Sequence, residues 1–227
     1  MAAADVVLLP GLGFTGRLFE NLSLPGRRCL AVEWSVPDPG EPMAEYGQRL
    51  LAPHALETPP ILIGHSFGGL VAQAIAGRRP VRGIVLVSSI KSRRENPFLF
   101  RIAACIGLHR LFTKGTTLRT LRFWGGAFGY RRGAEQDLFR AMVEVQDDRF
   151  LQWALRELSR WPGPPLGLPA TVHVHGTADR TFPFRRIEEP VVRVPGGTHL
   201  MIWDRGTEVS KAVAEAIGRI EGRRSLG

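Results

Sequence analysis

Short apolar segments alternate with longer amphipathic ones along most of the chain. The apolar segments are continuous runs of Val, Ile and Leu, which is typical of strands that are covered on both faces. Strands separated by helices favour a parallel sheet built from βαβ units, so we predict an α/β fold with a mostly parallel sheet of about six strands and helices on both faces. The predicted strands are Asp5–Leu9, Cys29–Trp34, Ile61–Ile63, Val81–Val87, Ala170–His175 and Val191–Val194, and the predicted helices are Thr15–Leu22, Glu41–Leu56, Ser66–Arg78 and Thr207–Ile220.

The stretch between the fourth and fifth predicted strands does not follow this alternation. Residues 91–161 contain apolar, Arg-rich helical patterns and no strand pattern, and a Pro-rich run at 162–165 ends them. We therefore predict an α/β core formed by residues 1–90 and 162–227, with residues 91–161 inserted as a helical cap. Large apolar side chains in the cap indicate a lid over the carboxyl edge of the sheet, where ligands bind in such folds. They are Phe98, Phe100, Phe112, Phe123, Trp124 and Phe128.

The third predicted strand leads directly into Gly64-His65-Ser66-Phe67-Gly68, which has the pattern G-x-S-x-G, and then into an apolar helix. A nucleophilic serine projects from a very tight strand-to-helix turn, and side chains two residues before and after it would clash there. The glycines of the pattern meet that requirement. The helix points its first amide groups toward the serine, so the Phe67 N–H is predicted to help hold an oxyanion.

A nucleophilic serine also needs a carboxylate and a histidine, placed at the carboxyl ends of later strands in that order. Asp179 lies in a turn-forming loop after the fifth predicted strand, and His199 follows Gly196 and Gly197 after the sixth. Either residue alone is compatible with an ordinary loop position, for example Asp179 in an Asx turn. Their joint occurrence downstream of the serine turn predicts a triad of Ser66, Asp179 and His199.

Three regions of the chain resemble the signature regions of bacterial α/β-hydrolase-fold proteins, at residues 64–69, 175–179 and 196–199. The resemblance extends to residues 88–97 and 153–161 and so covers nearly the whole chain, without the first two strands of larger members. It implies the α/β-hydrolase fold and a small serine hydrolase. Because such families are functionally broad, the resemblance defines the fold better than the substrate.

The resemblance also implies the second oxyanion donor. Family members carry His-Gly-X after the strand that corresponds to Asp5–Leu9, and the N–H of X is the donor. This chain has Pro10-Gly11-Leu12, so Leu12 is the candidate and Pro10 departs from the family pattern. The implied reaction is hydrolysis of a small-molecule acyl ester or related carbonyl compound through an acyl-enzyme, as in a carboxylesterase or thioesterase, without a cofactor or metal.

Two other functions remain open at this point. The loop after the first predicted strand contains Gly11, Gly13 and Gly16 in the pattern G-x-G-x-x-G, and Glu33 follows at about the distance of a ribose-binding acid. An NAD-binding oxidoreductase would use these residues, although a lone fingerprint of this kind is weak evidence. The third possibility is a non-catalytic member of the α/β-hydrolase fold that acts as a receptor or scaffold.

The net charge of +9 does not by itself predict a nucleic-acid partner. The basic residues are nearly all Arg and are scattered, whereas a nucleic-acid reader carries a basic block with aromatic residues or a known motif. The N-terminus lacks the pattern of a signal peptide, and no apolar run is long enough for a membrane span. Cys29 and Cys105 are too few for a disulfide framework, so we expect both to be reduced and buried in a cytoplasmic protein.

Overall fold

Six parallel strands form a single sheet in the order β2-β1-β3-β4-β5-β6. The structure is a computed structural model that describes residues 5–54, 56–126, 130 and 133–224. The observed sheet confirms the predicted strand number and parallel pairing. The strands are β1 (Val6–Leu9), β2 (Cys29–Ala31), β3 (Ile61–His65), β4 (Gly83–Val87), β5 (Thr171–Gly176) and β6 (Val192–Val194).

Helices cover both faces of the sheet, and two glycines show which helix lies on which face. In the β3–β4 register Ile61 pairs with Gly83, so Gly64 and Gly83 point to opposite faces. A Cβ atom on Gly64 would meet the backbone of helix α2 (Phe67–Ala76), and a Cβ on Gly83 would meet Ile220 of helix α8 (Gly206–Arg224). The two helices therefore pack on opposite faces, and the central strands β3 and β4 are fully buried between them.

The remaining core helices are shorter than their sequence patterns. The predicted helix Glu41–Leu56 is observed as α1 (Met43–Leu51), which packs on α2, and Thr15–Leu22 is reduced to a 3₁₀ turn at Gly16–Phe19. Pro42 sits at the N-cap of α1, where its fixed φ starts the helix. A single-turn helix α7 (Met201–Asp204) precedes α8.

The residues between β4 and β5 are helical in every element that the structure assigns there. Residues 134–161 form two separate helices, because Asp147 accepts a hydrogen bond from the Arg149 N–H and caps the second of them. That second helix, Asp148–Arg160, packs against α2 and against the first helix of the segment, Phe98–Ala103. The elements are α3 (Phe98–Ala103), a 3₁₀ turn (Leu108–Leu111), α4 (Lys114–Trp124), α5 (Ala134–Glu144) and α6 (Asp148–Arg160).

The expectation that the cysteines are buried is wrong. Cys29 and Cys105 are both exposed, and each carries a free thiol. Cys29 lies on the edge strand β2, and Cys105 follows α3, so neither position is covered by a second layer. None of the helices that the structure describes combines the length and the apolar composition needed to cross a membrane.

Candidate active site

Ser66 occupies a strained turn between β3 and α2. Its φ of 52° and ψ of −121° lie in a region that side chains rarely adopt. The turn is possible because the flanking positions lack side chains: a Cβ on Gly64 would overlap the backbone of Gly69, and one on Gly68 would overlap the Leu9 carbonyl oxygen. The glycines predicted from the sequence therefore lie where the backbone approaches are closest.

The structure brings Ser66, His199 and Asp179 together at the carboxyl ends of three different strands. His199 Nε2 lies 3.0 Å from Ser66 Oγ, and His199 Nδ1 lies 2.9 Å from Asp179 Oδ2. All three residues are buried. Because a carboxylate can only accept, the His199 Nδ1–H donates to Asp179, which leaves Nε2 free to accept the Ser66 hydroxyl hydrogen.

Asp179 is held as a buried carboxylate by several donors. Burial acts to raise its pKa, but the charge of His199 and the hydrogen bonds to the carboxylate outweigh burial, and the pKa is lowered. The N–H groups of Thr181 and Phe182 donate to Oδ1 over 2.8 and 3.0 Å. His175 Nε2 lies 3.4 Å from Oδ2 while it donates to the Phe182 carbonyl. The carboxylate therefore keeps its charge at neutral pH inside the protein.

Two backbone amides flank Ser66 without a protein acceptor. Leu12 and Phe67 line the same cavity as Ser66, and within the described ranges neither of their N–H groups donates to another protein group. Gly11 fits tightly beside them, because a Cβ there would come within 2.8 Å of His65 Nδ1 and 3.1 Å of Ser66 Cβ. The first loop is thus packed against the serine turn, with two free donors beside it.

The same contacts weigh against a dinucleotide site in this loop. The Gly16 N–H donates to Glu33 Oε1 over 2.9 Å, so the acidic residue is engaged by the loop itself. Gly11 and Gly13 are also filled in by protein, since a Cβ on Gly13 would contact Val143 and Phe139. The glycines accommodate neighbouring side chains rather than an open approach to a pyrophosphate. Among the residues with described positions, no cluster of three His, Cys, Asp or Glu side chains could hold a metal ion.

A cavity of about 450 Å³ opens above Ser66 between the core and the helices of residues 91–161. Apart from the catalytic candidates and a few hydroxyl groups, its walls are apolar. The side chains from the core are Leu12, Phe14, Ser66, Phe67, Thr181, Phe182 and His199, and those from residues 91–161 are Leu99, Phe100, Ala103, Leu108, Leu111, Phe112, Thr116, Thr117, Thr120, Tyr130, Phe139, Leu155 and Leu158.

The aromatic residues predicted to form a lid are divided by the structure. Phe100 and Phe112 line the cavity, whereas Phe98 and Phe123 are exposed and do not. The side chain of Trp124 and the whole of Phe128 lie outside the described residues. The sequence pattern predicted an apolar segment but did not distinguish the aromatic residues that line the cavity from those that are exposed. Both kinds occur close together in the chain, as Phe98 and Phe100 do on α3.

Three contributors to the site were not predicted from the sequence. Ser89 Oγ donates to the Ser66 carbonyl over 2.6 Å, and His65 Nε2 donates to the His199 carbonyl over 2.8 Å. Tyr130 is buried in the cavity wall and stacks on Phe139. The position of Ser89 directly after β4, at the catalytic edge, was a usable signal. Tyr130 lies in a Gly-rich stretch without periodicity, so nothing in the sequence indicated it.

Comparisons with known proteins identify the family and the fold of the chain. The sequence profile of the alpha/beta hydrolase family matches residues 6–212, so the chain belongs to that family, as the sequence resemblance predicted. No curated protein matches the chain.

Several solved structures share the fold. An esterase from Thermogutta terrifontis with bound malate has a TM-score of 0.67 at 18% identity and covers 96% of this chain and 91% of its own. The esterase RhEst1 from Rhodococcus sp. ECU1013 has a TM-score of 0.66 at 20% identity, with coverages of 94% and 90%. The N-acyl homoserine lactonase AidH, complexed with N-butanoyl homoserine, has a TM-score of 0.70 at 15% identity, with coverages of 96% and 90%. At these identities the likeness establishes the fold.

Buried neutral histidines make stability depend on pH. Burial lowers the pKa of His65 from 6.5 to about 3, and also lowers the pKa values of His173 and His175. At a pH between about 3 and 6.5, His65 is protonated in the unfolded chain but not in the folded protein. We expect the free energy of unfolding to fall as the pH drops below about 6.5, by up to about 1.4 kcal/mol per pH unit for each histidine.

Urea denaturation between pH 7 and pH 5 measures this slope. His65→Gln keeps a donor toward the His199 carbonyl but does not titrate, so the slope should be smaller in that variant. Equal slopes in the two proteins would contradict the assignment of His65.

Proposed function

We propose that this protein is a serine hydrolase that cleaves an acyl ester or related carbonyl compound, with Ser66 as nucleophile, His199 as base and Asp179 as acid. The observation that carries the proposal is the hydrogen-bonded chain Asp179–His199–Ser66 at the floor of an apolar cavity. A buried nucleophile, base and carboxylate in mutual hydrogen-bond contact are the arrangement that acyl transfer requires.

The proposed mechanism follows from the contacts of each group. His199 Nε2 takes the proton of Ser66 as Oγ attacks the acyl carbonyl, and Asp179 stabilises the imidazolium that forms. The amides of Leu12 and Phe67 stabilise the oxyanion, a contribution of about 3 kcal/mol per donor in comparable enzymes. His199 returns the proton to the leaving group, and water then hydrolyses the acyl-enzyme with His199 again as base. Every proton passes through one side chain, so no cofactor takes part.

The cavity supports an apolar acyl group as the bound part of the substrate. Its volume and its hydrocarbon and aromatic walls match sites that bury most of a small ligand. Ser66, Leu12 and Phe67 line the cavity together with the helices of residues 91–161, so the acyl chain would extend between the core and these helices. We propose that this segment is a cap that selects the acyl group, because it supplies most of the walls.

Replacing Ser66 with Ala should reduce kcat/KM for a p-nitrophenyl ester by about 10⁴-fold or more, because it removes the hydroxyl that lies 3.0 Å from His199 Nε2. The exposed Ser23 provides the matched control: Ser23→Ala should hydrolyse the ester at the wild-type rate. Covalent labelling by a fluorophosphonate, detected by mass spectrometry, should occur in the wild type and in Ser23→Ala only. Labelling of the Ser66→Ala variant would show that another residue is the nucleophile, and an inert wild type would favour a non-catalytic protein.

Replacing Asp179 with Asn should lower kcat by about 10⁴-fold, because the imidazole loses the charge that selects its tautomer and stabilises its cation. Asp148 is the matched control, since its carboxylate accepts a hydrogen bond from the Lys114 N–H at the start of α4, whereas that of Asp179 accepts one from His199. Asp148→Asn should leave kcat unchanged. If kcat fell in Asp148→Asn and stayed at the wild-type value in Asp179→Asn, the assignment of Asp179 as the triad acid would be wrong.

Replacing Phe112 with Ala should extend the acyl pocket, whereas Phe123→Ala should not, because Phe123 is 72% exposed and lies outside the cavity walls. We expect the ratio of kcat/KM for a decanoyl over a butanoyl ester to rise by about tenfold in Phe112→Ala. The ratio should stay at the wild-type value in Phe123→Ala. If Phe112→Ala lowers the melting temperature while the ratio stays constant, the cap does not select the acyl chain.

A further inference from the structure

The positive charge of the chain is concentrated in one part of the cap. Residues 91–126 contain eight Lys and Arg residues but only one acidic residue, Glu95, which is a net charge of +7 out of +9 for the whole protein. Glu95 is itself buried and pairs with Lys91. The other seven basic residues of the segment are exposed: Arg93, Arg94, Arg101, Arg110, Lys114, Arg119 and Arg122.

The same segment carries most of the exposed large hydrophobic side chains. Among the described residues there are eight of these, and six lie within residues 91–126. Phe98 is 63% exposed, Ile106 is 62% exposed and Leu111 is 65% exposed. The six are Phe98, Leu99, Ile106, Leu108, Leu111 and Phe123, and we call them, with the seven exposed basic residues, the cap surface. An exposed apolar set of this density marks an interaction site.

The cap surface is continuous with the mouth of the cavity. Leu99, Leu108 and Leu111 are exposed and also line the cavity walls, so they form its apolar rim. Cationic groups lie directly among the apolar ones: the Arg122 guanidinium lies 4.6 Å from the centre of the Phe123 ring. Apolar and basic groups are therefore neighbours within residues 91–126, and the apolar rim of the cavity belongs to the same segment.

We propose that the cap surface docks on an anionic lipid surface. Phe, Leu and Ile side chains at this exposure can enter the boundary between headgroups and hydrocarbon, while the arginines pair with lipid phosphates. An acidic protein partner would account for the charge, whereas an anionic lipid surface accounts for both the charge and the six exposed hydrophobic side chains, three of which form the rim of the cavity. Docking in this orientation would place the rim against the acyl chains. Transfer of an acyl substrate into the cavity rests on the proposed function, whereas docking does not.

Co-flotation of the full-length protein with vesicles tests the docking directly. At low salt, we expect the protein to bind vesicles of phosphatidylcholine that contain one quarter phosphatidylglycerol and to remain unbound with phosphatidylcholine alone. The Ser66→Ala variant should bind as the wild type does, which separates docking from catalysis. Absence of the wild type from the anionic vesicles would overturn the proposal, and binding to an acidic acyl carrier protein instead would assign the surface to a protein partner.

The apolar contribution is tested by the double variant Phe98→Ser with Ile106→Ser, neither of which lines the cavity. Vesicle affinity should fall by about tenfold or more. Leu166→Ser is the matched control, because Leu166 is 98% exposed and its neighbour Pro165 packs near Gly77, at the end of α2 opposite Ser66. That control should bind normally. Thermal melting establishes that each variant is folded, and wild-type affinity in the folded double variant would overturn insertion.

The electrostatic contribution is tested by charge reversal. Arg101→Glu with Arg110→Glu changes the charge of the cap surface, and Lys211→Glu with Arg219→Glu makes the same change on exposed positions of α8. The first pair should abolish co-flotation and the second should weaken it only slightly, since screening limits the reach of distant charges. Equal losses in the two pairs would show that net charge alone attracts the protein, which contradicts a defined surface.

The two exposed cysteines report the orientation of docking. Cys105 lies on the cap surface beside Ile106, whereas Cys29 lies on the edge strand β2. An environment-sensitive fluorophore on Cys105 in the Cys29→Ser variant should shift to the blue on anionic vesicles. The same fluorophore on Cys29 in the Cys105→Ser variant should not shift. A shift from Cys29 without one from Cys105 would overturn the proposed orientation.

Discussion

The close packing of α2 against the ends of β1 and β3 holds Ser66 in its strained turn, and the rest of the site is arranged around that turn. Glycine at 64 and 68 lets the backbones touch where any Cβ would overlap a neighbour. The strain at φ 52° is sustained because β3 and the first two turns of α2, on either side of the turn, are buried. The turn also places the first amide of α2, that of Phe67, beside Ser66, so one backbone feature positions both the hydroxyl and the proposed oxyanion donor.

Buried charge is handled differently on the two sides of this turn. Asp179 stays ionised because donors converge on both of its oxygens, so the cost of burial is offset locally. Burial lowers the pKa values of His65, His173 and His175, and for His175 it outweighs the opposing effect of Asp179 at 3.4 Å, so all three rings stay neutral. As neutral rings they serve as hydrogen-bond donors, and His65 fixes the backbone of His199 through its carbonyl. The second layer of the site therefore positions the base without competing for its proton.

The short helices between β4 and β5 carry side chains that line the cavity on one face and side chains exposed to solvent on another. Phe100 faces the cavity while Phe98, two residues earlier on α3, faces outward, since successive helical positions point in different directions. The inner face forms the walls above Ser66, and the outer face leaves apolar and basic groups around the mouth.

The sequence alone determined the strand–helix alternation, the serine turn and the positions of Asp179 and His199 relative to strand ends, because these depend on local patterns and on the chain order of a parallel sheet. Only the tertiary structure decided which residues of different elements come into contact. The 3.0 Å approach of His199 to Ser66 joins residues that are far apart in the chain, and Tyr130 enters the cavity wall from a stretch without periodicity. Glu33 accepts a hydrogen bond from the Gly16 amide, a contact that depends on how β2 pairs with β1. Contacts between elements depend on how the elements pack, and a local stretch of sequence does not determine that packing.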